Sequence, residues 1–149
     1  MGPLSNLVAT FLEHEGWPFE TDTKDGYHAF GYEGNNGRWM CYAQAREEHD
    51  QITVYSICPF LIPENRRHAI AEFIARANYG MVIGNFEMDF SDGEVRYKCA
   101  TDAEGVEPGV VFVRNLVRPN VVTMDRYLPG IEAVVQGAPP GQAIAQIEG

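Results

Sequence analysis

The sequence predicts an α+β fold in which an antiparallel five-stranded sheet is accompanied by helices at both ends of the chain. Apolar residues recur at helical spacing near the N-terminus and again in the C-terminal third. Between these segments lie short runs rich in aromatic and β-branched residues, separated by tight turn sequences that favour antiparallel hairpins. One more helical stretch divides the runs into three and two, so the predicted order is α-βββ-α-ββ-α. Strands grouped in this way indicate helices packed mainly on one face of the sheet.

The first half of the chain supplies one helix and three strands. Apolar spacing places an amphipathic helix over residues 3–14, with Pro3 in its first turn. The run Gly34-Asn35-Asn36-Gly37 is a strong turn signal, and Glu47-Glu48-His49-Asp50 forms a polar turn. Around these turns the expected strands lie near Gly26–Glu33, Arg38–Arg46 and Gln51–Cys58.

A central helix and a second hairpin follow. Pro63-Glu64-Asn65 begins the helix, and Gly80 is well placed to end it. Two further strands are expected at Met81–Phe90 and Glu94–Ala100. Between them lies Asp92-Gly93, and an Asp-Gly pair between strand-like runs is a strong hairpin signal.

The C-terminal third is predicted to be helical. Apolar residues from Val117 to Val135 alternate at spacings of three and four, which is typical of one face of a long helix. Pro119 is expected in the first turn or as a break, and Pro129 as a kink. A Pro/Gly connector then leads to a short final helix around Ala143–Ile147.

Length and charge narrow the classes of function. The 149 residues fit a single domain spanning 1–149. A net charge of −10 disfavours nucleic acids and anionic membranes as partners, because both attract cationic proteins. The three cysteines (Cys41, Cys58 and Cys99) are too few and too widely spaced for a disulfide framework, which favours a reducing, cytoplasmic setting. Neither a signal peptide nor a membrane-spanning segment is expected.

Residues with catalytic or metal-binding potential are better explained structurally. Acids around Gly93 fail the ligand spacing of a calcium loop and fit a hairpin turn instead. The cysteines lack a C-x-x-C arrangement, and no glycine-rich phosphate loop is present. No two histidines have the spacing of a metal-binding helix; we expect surface or structural roles for His14, His28, His49 and His68. The sequence therefore predicts no catalytic residue, no metal and no cofactor.

The second and third strands suggest a binding surface. Because side chains alternate between the two faces of a strand, Met40 and Tyr42 share one face while Trp39 and Cys41 share the other. If the helices cover one face, the other presents a candidate partner-binding patch. We predict that this patch contains Arg38, Met40, Tyr42 and Tyr55. The alternative is that these side chains merely cover a sheet face, or are shielded by a loop.

Several segments together resemble the YbjN family, whose domains share the fold of type III secretion chaperones. They include Asn35-Asn36-Gly37-Arg38-Trp39, Pro63-Glu64-Asn65-Arg66, Ala77-Asn78-Tyr79-Gly80, Ile83 to Asp89 with Asp92-Gly93, and Met124 to Pro129 followed by Gly137. The similarity extends from about Leu4 to Gly149. It implies a bacterial sensory transduction regulator that binds a segment of another protein, often as a homodimer, without catalysis.

Three hypotheses about function follow. The leading one is a non-enzymatic, protein-binding module of chaperone-like or regulatory kind, whose partner is a protein or peptide segment or a second copy of the chain. The alternative is a small-ligand sensor or an enzyme with a pocket between the sheet and the C-terminal helix. The third is a purely structural or dimerisation domain.

Overall fold

A computed structural model describes residues 1–149 of the chain and contains four α-helices and six β-strands. The helices are α1 (Pro3–Glu15), α2 (Arg67–Asn78), α3 (Val110–Val135) and α4 (Pro140–Glu148). The strands are β1 (Phe19–Asp22), β2 (Tyr27–Glu33), β3 (Arg38–Arg46), β4 (Gln51–Ile57), β5 (Asn85–Asp89) and β6 (Glu94–Asp102). Single 3-10 turns at Glu47–His49 and Glu64–Arg66 precede β4 and α2.

The strands form one antiparallel sheet in the order β1-β2-β3-β4-β6-β5. The predicted α+β class and the antiparallel pairing are therefore confirmed, but the prediction of five strands is wrong because the sheet has six. The missed strand is β1, which has only four residues and no alternating apolar pattern. Its extended conformation is fixed by pairing with β2, in the register Phe19↔Phe30 to Asp22↔Tyr27.

The helices cover one face of the sheet and leave the other open. Along β3 the alternate residues Trp39, Cys41, Ala43 and Ala45 are buried, whereas their neighbours are exposed or half-buried. Helix α1 contacts β2 and β3, α3 contacts β4 and β6, and α2 contacts β5. The covered side forms one apolar core, whose largest fully buried side chains include Phe11, Phe30, Phe73, Ile70, Met124 and Tyr97.

Helix α3 begins earlier than predicted and runs unbroken through both of its prolines. A proline has no N–H to donate, so Pro129 frees the carbonyl of Asp125 four residues earlier. That carbonyl accepts a hydrogen bond of 3.0 Å from the amide nitrogen of Asn36, in the turn between β2 and β3. The Asp125 carboxylate in turn accepts the backbone N–H groups of Asn35 at 3.1 Å and Asn36 at 2.8 Å. The turn is thus clamped onto the helix.

The predicted hairpin between the last two strands is present, although its first strand is shorter than expected. Strand β5 begins at Asn85 rather than Met81, and Asp89 pairs with Glu94 across the turn. Within the turn Gly93 has φ of 83°, and a side chain there would collide with the backbone of Ile62. Asp92 accepts the N–H of Glu94 at 2.9 Å, so this acid serves the turn.

Candidate functional site: the open face of the sheet

The residues predicted as a binding patch all lie on the face of the sheet that no helix covers. Met40 is 45% exposed, Tyr42 and Tyr55 are half-buried, and the Arg38 side chain is 80% exposed. The adjacent Trp39, whose side chain points to the opposite face, is by contrast only 4% exposed. A sheet face that carries aromatic side chains and remains accessible is a candidate contact surface.

Tyrosine side chains form the centre of this face. Tyr42 and Tyr55 are directly opposite each other on β3 and β4. The ring of Tyr27, on β2, meets that of Tyr42 edge-on with 5.5 Å between ring centroids. Together with Ile57 and polar neighbours they line a shallow depression of about 430 Å³, a volume within the range of small-molecule and side-chain sites.

A charged network borders the tyrosines on the side of β6 and β5. The guanidinium of Arg96 lies over the Tyr55 ring, 4.3 Å from its centroid. The Glu87 carboxylate accepts from Arg96 Nε at 2.5 Å and from Lys98 Nζ at 3.2 Å. Partial burial opposes ionisation of Glu87, but these two hydrogen bonds prevail and hold its pKa below the usual range. The carboxylate is thus ionised at neutral pH, and it fixes the position of Arg96.

Arg38 and Met40 contribute to a second hollow rather than to the tyrosine depression. This hollow, of about 590 Å³, lies near the end of β2 and the start of β3. It is also lined by Tyr32, Trp39 and the prolines Pro18 and Pro59. Arg38 has only a long contact to Glu33, with 3.9 Å between Nε and Oε2, so its charge is available to a ligand. The structure therefore places the four predicted residues on one face but divides them between two hollows that share no lining residue.

Sequence reasoning missed three contributors to the face. Tyr27 and Ile57 belong to predicted strands, and continued alternation along β2 and β4 places them beside Tyr42 and Tyr55. Arg96 carries no comparable signal, because its position depends on the pairing of β4 with β6, where it lies opposite Ile57. That pairing joins strands separated by a helix, and a one-residue shift would move Arg96 to the other face.

The three cysteine thiols and the His28 imidazole are buried in the core rather than gathered in a cleft. Burial raises the pKa of the Cys41 thiol to about 12 and that of Cys58 to about 11. His28 is 2% exposed and bridges strands and helix, hydrogen-bonding Ser5 at 2.9 Å and Thr21 at 2.8 Å. No three His, Cys, Asp or Glu side chains are arranged to hold a metal ion.

The pocket considered between the sheet and the C-terminal helix is occupied by side chains. Val113, Val117, Val121 and Met124 of α3 are all buried against the sheet. Neither of the two hollows described above is lined by a residue of α3. The geometry therefore directs attention to the open face. None of the helices has the length and apolar character needed to cross a membrane.

Comparison with known proteins gives one match. The model of the YbjN family, described as "Putative bacterial sensory transduction regulator", matches residues 5–133. This region includes all six strands and almost all of the three longer helices. Searches of curated proteins and of solved structures each gave no significant match.

Proposed function

The chain belongs to the YbjN family, and from that premise we propose that it is a non-enzymatic regulatory module of the cytoplasm that binds a protein or peptide segment on the open face of its sheet. The observation that carries the proposal is the placement of Met40, Tyr42 and Tyr55 together on a face that no helix covers. This accessible face supports the proposal of a partner.

The chemistry of the face suits a peptide. Aromatic residues, methionine and arginine are the types enriched in protein interfaces, where each buries a large contact area. Tyr42 and Tyr55 supply amphipathic rings, Met40 is a flexible apolar contact, and Arg38 has N–H groups to donate. The Arg96 side chain, held by Glu87, adds a rigid cation above the Tyr55 ring. We therefore expect an extended segment with apolar side chains for the two hollows and acceptors for the arginines.

A chaperone-like role is the more specific form of this proposal. It draws support from the family resemblance and from the layered α+β architecture, in which one sheet face remains open. In this form the bound segment belongs to a client protein that is otherwise aggregation-prone.

The test is to change the centre of the face while sparing the core. Met40→Asp combined with Tyr55→Asp places two carboxylates on the face. Affinity capture from the native host would compare the partners of this variant with those of the wild-type protein. For each captured partner, NMR shift changes of this chain's amides would show whether the partner contacts the open face. We expect the variant to lose partners that bind through the face by at least tenfold, because a buried unpaired charge at an interface costs several kcal/mol.

Val122→Asp is the matched control. Val122 is 60% exposed on the outer side of α3, so the substitution adds a charge without touching the face. Circular dichroism would establish that both variants are folded. If the double variant retained every partner and the NMR shifts fell elsewhere, the open face would not be the binding site.

A further inference from the structure

The larger hollow of the open face, here called the Gly31 hollow, contains a stretch of strand backbone that no side chain covers. The hollow has a volume of about 590 Å³, and Gly31, Met40, Pro18 and Pro59 are among its lining residues. Gly31 lies within β2, a strand paired on both sides, and it is opposite Met40 of β3. Phe30 on its N-terminal side is buried on the covered face, so a side chain at position 31 would project from the open face into the hollow.

The fold itself does not require a glycine at position 31. The backbone there does not have a positive φ. A Cβ atom added to Gly31 would meet Met40 Sδ at 3.9 Å, which is ordinary van der Waals contact, whereas one added to the nearby Gly37 would collide with Leu128. Glycine inside a strand lowers stability relative to alanine, and it often marks a site where a ligand or another chain comes close to the backbone. Gly31 therefore points to an occupant of the hollow.

The side chains around the hollow favour contact with the face of an aromatic ring. That face carries partial negative charge, which attracts cations and polarisable sulfur. Met40 supplies a thioether and Arg38 a guanidinium, while Pro18 and Pro59 add exposed apolar surface. An aliphatic side chain would fill the same space but would gain neither the sulfur contact nor the cation–π contact. The lining therefore suits an aromatic occupant.

The rim of the hollow adds a hydrogen-bond acceptor beside the cation. The Glu33 side chain is 73% exposed, and its contact with Arg38 is long, so its carboxylate is free to accept an N–H from a ligand. Among aromatic side chains, the indole of tryptophan combines the largest ring face with an N–H that only donates. The open face already contains one contact of the same kind, between Arg96 and the Tyr55 ring.

We propose that the Gly31 hollow receives a tryptophan side chain of the partner segment, with the indole ring on the bare Gly31 backbone, beside Met40 and Arg38, and its N–H donated to Glu33. The inference rests on the proposed function, because the segment that carries the tryptophan is the one bound by the open face. It adds which side chain of the partner is recognised, and by which part of the face. Buried aromatic side chains are typical of the few residues that dominate binding at an interface.

A capped tripeptide of sequence Gly-Trp-Gly is the probe, and its binding would be followed by NMR titration of the wild-type protein. We expect a dissociation constant on the order of millimolar, because a single side chain buries little area. The ring current of the indole should move the Met40 methyl signal upfield, and the Gly31 amide should shift with it. The matched tripeptide Gly-Leu-Gly should bind about fivefold more weakly or worse, because it lacks the ring face.

Substitutions of Gly31 separate a role in binding from a role in the fold. Gly31→Ala should weaken binding of the tryptophan tripeptide about threefold, and Gly31→Val about tenfold or more, because their side chains occupy the hollow. Both should raise the melting temperature, by about 2–4 °C, since they replace a glycine inside a strand. Ala100→Val is the control: it enlarges an exposed side chain of β6 outside both hollows and should leave binding unchanged.

Four results of the titrations would overturn the inference. They are no shift at Gly31 and Met40 up to about 10 mM tryptophan tripeptide, equal binding of the leucine tripeptide, undiminished binding by Gly31→Val, and an equal loss of binding in Ala100→Val.

Capture of native partners distinguishes failure of this inference from failure of the proposed function. Partners that are lost by the Met40→Asp and Tyr55→Asp double variant but fully retained by Gly31→Val would leave the open face as the binding site and show that the tryptophan contact is wrong. Retention of every partner by both variants would overturn the proposed function and, with it, this inference. Loss of the same partners by both variants, with the Gly31→Val protein more stable than wild type, is the result we expect.

Discussion

Asn120 is the polar side chain on which we expect the stability of the helix–sheet contact to depend most. It is completely buried at the centre of α3. Its amide nitrogen donates to the carbonyls of Val54 and Tyr97, both at 3.0 Å, and its amide oxygen accepts from the Ser56 hydroxyl at 2.6 Å. One side chain therefore ties the long helix to two adjacent strands, β4 and β6.

Asn120→Ala should lower the free energy of unfolding by about 2–4 kcal/mol. Three hydrogen bonds are lost, each with a net worth of about 1 kcal/mol. The two carbonyls belong to paired strands and keep their ladder partners, so the unpaired group is mainly the Ser56 hydroxyl, which retains a weak contact to Cys41 at 3.5 Å. A small cavity adds to the loss. Against a total stability of roughly 5–15 kcal/mol this is a large fraction.

Urea unfolding followed by fluorescence and circular dichroism measures this difference. Asn115→Ala, an exposed position of the same helix, is the control and should stay within about 0.5 kcal/mol of wild type. Adding Ser56→Ala to Asn120→Ala should cost less than Ser56→Ala alone, because the hydroxyl has already lost its acceptor. A loss below about 1 kcal/mol for Asn120→Ala, or strict additivity of the two changes, would refute the reasoning.

Three further predictions concern the edge of the sheet, the turn clamp and pH. Asn78→Ala should speed hydrogen exchange of the Phe86 amide and lower the free energy of unfolding by about 1–2 kcal/mol. The reason is that the Asn78 side-chain amide accepts from the N–H (2.7 Å) and donates to the C=O (3.0 Å) of Phe86 on the edge strand. Unchanged exchange at Phe86 would contradict this. Asp125→Ala should lower the free energy of unfolding, measured in urea, by about 1–3 kcal/mol, because two charge-assisted hydrogen bonds to the β2–β3 turn are lost. Asn36→Ala should lower it by less, because it removes only the neutral hydrogen bond from the Asn36 side chain to the Asp125 carbonyl. Burial lowers the pKa of His28 from its ordinary 6.5, so unfolding takes up a proton below that pH and stability falls with acidification. The slope is at most about 1.4 kcal/mol per pH unit, and His28→Gln should remove this component from the profile of unfolding free energy between neutral and mildly acidic pH.

The parts of the fold that sequence predicted are those with a local cause. Strand alternation correctly assigns the exposed Met40 and the half-buried Tyr42 to one face and the buried Trp39 and Cys41 to the other, because successive side chains of a strand must point to opposite faces. Asp92-Gly93 marked the last hairpin, because the turn requires a positive φ that glycine adopts readily.

The parts that were missed depend on contacts between distant segments. Strand β1 is extended because β2 offers it hydrogen bonds, and nothing in Phe19–Asp22 signals this beforehand. Asn120 lies among apolar residues of α3, and its position in the sequence does not predict that its side chain donates to two strand carbonyls. Pro129 was expected to disturb the helix, yet the carbonyl it frees is satisfied by Asn36 from the far end of the sheet. In each case the tertiary partner, rather than the local pattern, decides the outcome.

The segments that carry the family resemblance have mainly structural roles. Asn35-Asn36-Gly37 and Asp125 form the clamp between turn and helix, and Asn78 closes the β5 edge against strand addition. Of the predicted binding residues only Arg38 lies in such a segment; Met40, Tyr42 and Tyr55 lie outside them. Family membership therefore accounts for the scaffold, whereas in our proposal the choice of partner rests on the open face, whose side chains contribute little to the core. Substitutions on that face should alter binding with small effects on unfolding, and those in the clamp should do the reverse.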